Sequence, residues 1–356
     1  MALHYTQASA GSGKTTSIEN DVAEKLEQGT LTPSQIMAVT FTKDAATELK
    51  ERISQRLLKG GHAALATGIM SARVGTIHSV FGQLLTDFAF ELGLSPEQRV
   101  LDDQDKFQVL SEALDNSLTT NQIEQLNTLS YRLCTEDWRK IILDIIELMR
   151  SNNLNVSTLA GFAQQSIQGL ISKLPATDNA ITEEVFCHAL NTAITDAKTL
   201  AKPTKGVLNS ISACESILRQ KNLQWKNWLK VSKLKPTKMG EPIFGTAMEL
   251  GLSVLQCPLF QDELSQFIEL IMGCASQVMS EFARVKQSRG LVDFIDQEQL
   301  ALTALDHPAV KQRLKDEISY LIIDEFQDTS PIQLALFSKM SELVNDVLMV
   351  GDAKQA

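Results

Sequence analysis

Hydrophobic positions follow two different rhythms along this chain. Near both ends, short continuous apolar runs alternate with stretches in which apolar residues recur every three or four positions. A strand around residues 3–5 leads into a glycine turn, and the spacing after Lys14 predicts a helix to about Glu27. "QIMAVTF" (35–41) predicts a strand, and "KDAATELKERISQRLL" (43–58) a helix. Further on, "YLIIDE" (320–325) and "DVLMVGD" (346–352) are apolar runs of the kind buried on both faces of a parallel sheet. Between them, "PIQLALFSKMSEL" predicts a helix with Pro331 in its first turn. Such alternation predicts a parallel sheet covered by helices.

From about residue 86 to residue 290 the strand signals fade. "DWRKIILDIIELMR" (137–150) and the unusually long "ELSQFIELIMGCASQVMSEFARVK" (263–286) predict amphipathic helices. "KPTKMGEP" (235–242) predicts a flexible loop. The expected organisation is an α/β domain made from residues 1–90 and 290–356, interrupted by an all-helical subdomain at 91–289.

The glycine turn carries chemistry. "ASAGSGKTT" (8–16) fits the phosphate-binding pattern G-x-x-x-x-G-K-[ST], with Ala8 in the first glycine position. Ala10, Gly11, Ser12, Gly13, Lys14, Thr15 and Thr16 would cradle a nucleotide's phosphates at a helix N-terminus. Lys14 would neutralise the β/γ-phosphates, and the Thr15 hydroxyl would ligate Mg²⁺. A glycine-rich turn with an incidental lysine fits the same residues, but the flanking strand and helix favour the cradle. "YLIIDEFQDTSP" supplies the acidic partner, Asp324 to hold Mg²⁺ and Glu325 to orient and deprotonate water. A solvated acidic strand end is the alternative; the pairing of both motifs favours a nucleoside triphosphatase.

Composition narrows the setting. In 356 residues, 44% are hydrophobic and 21% charged, enough for two or three ordinary domains. Thirty-three Lys and Arg against 43 Asp and Glu give a net charge of −10, which argues against a basic coat but allows a local basic patch. Such a patch runs from residue 219 to residue 238: Arg219, Lys221, Lys226, Lys230, Lys233, Lys235 and Lys238, with no acidic residue between them. Trp225 and Trp228 are interleaved. A DNA-phosphate contact through Lys230, Lys233 and Lys235 fits this pattern, as does a solvated helix face over two core tryptophans. No run approaches the ~20 apolar residues of a membrane span, and Ala8 leaves no room for a leader. The five cysteines lack ligand spacing and are expected as buried hydrophobes. A soluble, cytoplasmic protein is expected.

Four further stretches resemble one family. "DEFQDTSPIQ" (324–333), "VTFTKDAATELKERI" (39–53), "VGTIHSVFGQLL" (74–85) and "VGDAKQA" (350–356) occur in the order found in superfamily 1 DNA helicases of the UvrD/Rep group. "GLVDFIDQEQLAL" (290–302) also resembles the family's segment before the acidic motif. Within the group the chain looks most like the AddA and RecB helicase–nuclease subunits. The resemblance covers residues 2–90 and 290–356 and implies a RecA-like P-loop fold, with ATP and Mg²⁺ as cofactors. It assigns Gln355 to γ-phosphate sensing beside the catalytic Lys14 and Glu325, and Gln327 to linking the acidic site with its surroundings. Thr40, Phe41 and Thr42 match a segment that touches single-stranded DNA, and Thr76 and His78 another DNA-facing motif. By themselves, Phe41 fits a core position equally well, and His78 a structural histidine.

The resemblance implies a second RecA-like domain after Ala356, which would supply arginines worth ~10³–10⁵ in rate. The expectation is an N-terminal half-motor that binds Mg·ATP, hydrolyses it slowly at most, and does not unwind DNA alone. Its partners would be single-stranded DNA or a duplex end and a helicase–nuclease subunit, in double-strand-break processing and recombination. A UvrD-type repair helicase without nuclease partner and a non-hydrolysing binding module are the alternatives. A P-loop kinase is disfavoured because Glu325 and "FQDTSP" suit hydrolysis.

Overall fold

The computed structural model describes residues 2–7, 14–94, 99–135 and 137–352. Its strands are β1 (Ala2–Gln7), β2 (Ile36–Thr40), β3 (Arg73–Thr76), β4 (Arg99–Val100), β5 (Leu291–Val292), β6 (Tyr320–Ile323) and β7 (Asp346–Gly351). The first helices are α1 (Lys14–Glu27), α2 (Lys43–Lys59), α3 (Ala63–Gly68), α4 (Ile77–Asp87) and α5 (Asp103–Ser117). There follow α6 (Thr120–Leu133), α7 (Trp138–Ser151), α8 (Leu159–Ile171), α9 (Glu183–Lys198) and α10 (Lys205–Leu218). The remainder are α11 (Lys226–Ser232), α12 (Thr237–Leu252), α13 (Pro258–Arg289), α14 (Phe294–Ala304), α15 (Pro308–Glu317) and α16 (Pro331–Ser341).

The chain forms two compact units. The first comprises Met1–Val109, Arg150–Leu154 and Arg284–Ala356, and the second Leu110–Met149 and Asn155–Ala283. Mixed α/β architecture with a parallel sheet belongs to the first. Five strands pair in the order β1-β7-β6-β2-β3, all parallel, and β4 pairs with β5 separately.

Side-chain alternation explains why both faces of this sheet are dry. Met37 and Val39 of β2 join Leu321, Ile323 and Val347 in one core with residues of α4, α14, α15 and α16. Ile36 and Ala38, one position out of phase, join Tyr320, Ile322, Leu348 and Val350 in a second core with α1 and α2. A period of two therefore reads as a continuous apolar run. The Tyr320 hydroxyl donates to the Asp21 carboxylate, and burial, then that bond, push its phenol above the ordinary tyrosine value.

The second unit contains no strand among the described residues. Phe186 stacks on Trp228 at 4.1 Å, and the Trp225 indole N–H donates to Glu263 at 2.7 Å. Arg132 pairs with Glu183 and Glu263, each at 2.8 Å, beneath the Trp225 ring. Burial works against the Arg132 charge, but these carboxylates raise its pKa above the ordinary arginine value. The paired charges are thus satisfied where an isolated one would be costly.

Several expectations need correction. Residues 235–242 are not a loop: α12 begins at Thr237 and carries Pro242 inside it. Tertiary packing overrides the local breaker signals, since Gly240, Phe244, Ala247 and Gly251 form a buried face. β4 lies in the stretch expected to be purely helical. Cys134 is exposed and Cys187 half-buried, whereas Cys214, Cys257 and Cys274 are buried as expected. Cys134 ends α6 in the left-handed conformation at φ 56°, so it serves a helix terminus rather than a core. Among the described residues, no helix is long and apolar enough to cross a membrane.

Candidate functional site

Parallel pairing puts the carboxyl ends of β1, β7, β6, β2 and β3 along one edge, where ligands bind in open α/β sheets. At the end of β6, the Asp324 N–H donates to the Val39 carbonyl at 3.0 Å, which carries sheet pairing into the acidic pair. Glu325 then turns left-handed at φ 54°, ψ 45°. A non-glycine residue there costs free energy that functional loops commonly store.

Gln327 ties this loop down. Its amide nitrogen donates to Glu325 Oε2 at 2.6 Å and to Asp328 Oδ2 at 3.2 Å. Its carbonyl oxygen accepts the Asp352 N–H at 2.9 Å, just beyond β7. A Cβ at Gly351 would sit 2.7 Å from that oxygen, so glycine provides the space for the bridge.

β1 ends at Gln7, paired in register with Gly351, and α1 opens at Lys14. The ends of β1 and β6 flank β7, two strand spacings or about 10 Å apart across the sheet. Thr15 is half-buried and Thr16 exposed. Ala10, Gly11, Ser12, Gly13 and Gln355 lie outside the described residues, and Lys14 is described only as the first residue of α1. The Thr15 hydroxyl and the Asp324 carboxylate are hard oxygen donors, a set suited to a Mg²⁺ that keeps several waters and the phosphates as its other ligands.

Beside this edge, β2 and β3 run directly into helices. Thr42 caps α2 by accepting the Ala45 N–H, and Thr76 caps α4 by accepting the Ser79 N–H. The loops border a cavity of about 720 Å³ lined by Phe41, Thr42, Thr76, His78, Phe294 and Gln297 among others. Phe41 is 47% exposed and Phe294 39% exposed, unusual for rings of this size at the ends of buried elements. Thr40, expected to face DNA, is instead buried. Its hydroxyl donates to the Thr42 carbonyl at 3.0 Å and so shapes the loop without lining the cavity.

The His78 ring lies 4.3 Å from Phe294, and its Nε2 is 3.2 Å from Glu298 Oε1. Glu298 is buried and also accepts from Gln333 Nε2 at 2.7 Å. The buried Gln297 Oε1 has no hydrogen-bond partner among the described residues. These α14 residues, Phe294, Gln297 and Glu298, and Gln333 of α16, are the groups that sequence reasoning missed. Spacing of three and four positions puts the α14 trio on one helix face, a signal present in "DFIDQEQ".

The start of α14 is anchored by buried charge. Asp293 and Asp296 form its capping box, while Arg150 reaches Asp293 at 2.6 Å and Asp296 at 3.0 Å. Lys286 sits 3.1 Å from Asp293 and also contacts Asp296. Burial alone would raise the Asp293 carboxyl, but the Arg150 bond and charge, then Lys286, hold it down at about 2.

Lys230, Lys233 and Lys235 are exposed in the second unit, and none has an ion-pair partner among the described residues. Trp225 and Trp228, which precede them, are core residues, 4% and 0% exposed, and cannot stack on bases.

The chain is 26% identical over an alignment of 426 residues to an ATP-dependent helicase/nuclease subunit of Latilactobacillus sakei subsp. sakei (strain 23K). That alignment covers 98% of this chain and 47% of the relative. The corresponding protein of Listeria welshimeri serovar 6b is 24% identical over 414 residues, 98% of this chain and 33% of that protein. Its counterpart in Syntrophomonas wolfei subsp. wolfei is 24% identical over 423 residues, with 98% and 32% covered. The chain thus spans about a third to a half of the length of these relatives. Residues 4–356 match the UvrD/REP helicase N-terminal domain, and the chain belongs to that family.

Proposed function

We propose that this chain is the N-terminal, ATP-binding half of an ATP-dependent DNA helicase or translocase acting in recombination and double-strand-break repair. The first compact unit is read as a RecA-like P-loop motor domain, and the second as a helical insertion. Support comes from the family, from relatives named as ATP-dependent helicase/nuclease subunits, and above all from Gln327. One side chain joining Glu325 to the end of β7 is what a hydrolytic site coupled to its surroundings requires.

In this reading, residues 10–16 hold the triphosphate, with Lys14 on the β/γ-phosphates. Thr15 and Asp324 would hold Mg²⁺, which would offset the negative charge of the phosphates. Glu325 orients the attacking water and accepts its proton, while Gln327 fixes the carboxylate in place. Gln355 senses the γ-phosphate. Phe41, Thr42, Thr76 and His78 take single-stranded DNA, Phe41 by stacking on a base, a contact worth ~1–3 kcal/mol. Lys230, Lys233 and Lys235 contact phosphates. A following RecA-like domain and a nuclease-associated partner complete the machine, in the cytoplasm.

Steady-state ATP hydrolysis with and without single-stranded DNA, beside Lys14→Ala and Glu325→Gln, tests the reading. DNA-stimulated turnover lost in both variants supports it. Nucleotide binding without any turnover would make the chain a non-hydrolysing module, and unwinding by the chain alone would overturn the half-motor.

A further inference from the structure

Glu298 has no role in the chemistry above, yet it is 4% exposed and carries a carboxylate. A buried carboxylate is costly unless it is hydrogen-bonded, so its partners define its purpose. They come from two places. His78, at the cavity, approaches Oε1 with Nε2 at 3.2 Å, and Gln333 donates to the same oxygen at 2.7 Å.

The Gln333 side chain is used at both ends. Its oxygen accepts the Ser330 N–H at 3.2 Å, while the Gln333 backbone N–H donates to Ser330 Oγ at 3.3 Å. Ser330 closes the loop that begins at Asp324 and Glu325, and within it Thr329 Oγ1 donates to the Phe326 carbonyl at 2.6 Å. A continuous chain of hydrogen-bonded groups therefore runs His78–Glu298–Gln333–Ser330, from the cavity wall to the acidic loop. One oxygen serves both His78 and Gln333, so a displacement of either changes the geometry available to the other. Phe294, one turn before Glu298 on α14, packs against His78 and extends the same contact into the cavity.

We infer that Glu298 is a positioning residue that couples occupancy of the cavity to the acidic loop through His78 and Gln333. This rests on the function proposed above. Such coupling is measured as an energetic linkage between the two sites.

The experiment measures the affinity of the chain for a fluorescent Mg·ATP analogue, with and without saturating oligo(dT). The ratio of the two dissociation constants is the coupling, expected to be roughly fivefold or more. Glu298→Ala and Gln333→Leu should each bring the ratio to within about twofold of one, while each separate affinity shifts less than about threefold. Glu298→Gln still accepts from both partners and should restore most of the ratio. A purely structural role would lower affinities or the melting temperature and leave the ratio intact, which would overturn the inference. If Glu298→Ala fails to fold, Gln333→Leu decides, because it leaves the carboxylate in place. An unaltered chain that binds both ligands with a ratio of one overturns the role of Glu298 and leaves the proposed function standing. An unaltered chain that binds neither overturns both.

Discussion

The Gln327 side-chain amide oxygen accepts the backbone N–H of Asp352 at 2.9 Å, a bond between the acidic loop and the residue that follows β7. Gly351 makes it possible. An alanine Cβ would meet that oxygen at 2.7 Å, and the oxygen belongs to a flexible side chain that can swing away. Gly351→Ala should therefore leave the melting temperature within a few degrees while releasing Gln327 from Glu325. ATP turnover should fall at least about tenfold in Gly351→Ala and in Gln327→Ala alike, part of what a positioned general base contributes. Full turnover in Gly351→Ala would show that the bridge is dispensable.

The Arg150–Asp293 pair predicts acid sensitivity. The folded Asp293 carboxyl ionises at about 2, against about 3.9 in an unfolded chain. As pH falls below about 4 the unfolded state takes up the proton first, so the stabilisation is complete above that pH and is lost on the way to 2. Its size is about 2–3 kcal/mol, and urea midpoints measured from pH 6 to pH 2.5 should register it. Asp293→Asn should show a shallower acid decline than the unaltered chain; identical slopes would exclude Asp293 as a source. Arg150→Leu removes one of two cations on Asp293, leaving Lys286 and the Asp296 N–H, and should cost about 1.5–3 kcal/mol at neutral pH.

Helix α12 approaches α11 through Gly251, where a Cβ would lie 2.4 Å from the Trp228 carbonyl oxygen and 2.9 Å from Ser232 N. Both are backbone atoms and cannot step aside. Gly251→Ala should destabilise the second unit by about 1–3 kcal/mol or more, despite alanine's higher helix propensity. Gly245 lies on the same helix with nothing near its would-be Cβ, so Gly245→Ala should be neutral or stabilising. Thermal unfolding of the two variants separates packing from propensity; equal midpoints would refute the close approach.

The exposed lysines predict a salt effect. Replacing Lys230, Lys233 and Lys235 by Glu should weaken oligonucleotide binding and flatten its dependence on salt, by up to about two in the log–log slope for three lost phosphate contacts on a single strand. Circular dichroism should be unchanged, because the three lysines are exposed and Trp225 and Trp228 keep their core contacts. An unchanged slope would mean that these lysines only solvate the surface.

Much of this protein is written locally. The run "YLIIDE" specifies a buried strand ending in two carboxylates, because alternate residues must satisfy two apolar faces and polar residues must leave at the edge. "SPIQ" specifies a helix start, because Ser330 and Gln333 can satisfy each other's backbone N–H groups within four residues. The phosphate pattern and the acidic pair are equally local, and the sequence alone pointed to the family. Other features depend on groups far apart in the chain. Nothing near residue 235 announces α12; its glycines become favourable only once Trp228 and Val207 lie against them. The lysines around Trp225 and Trp228 read equally well as a phosphate-contacting patch or as a solvated face over two core tryptophans. The tryptophans are fixed as core only when Phe186 and Glu263 close over them. His78, Glu298 and Gln333 are separated by more than thirty residues at each step, and only β2, β3 and β6 pairing in one sheet brings their helices together. Backbone periodicity is a short-range property, whereas a shared hydrogen bond requires the whole chain to have folded.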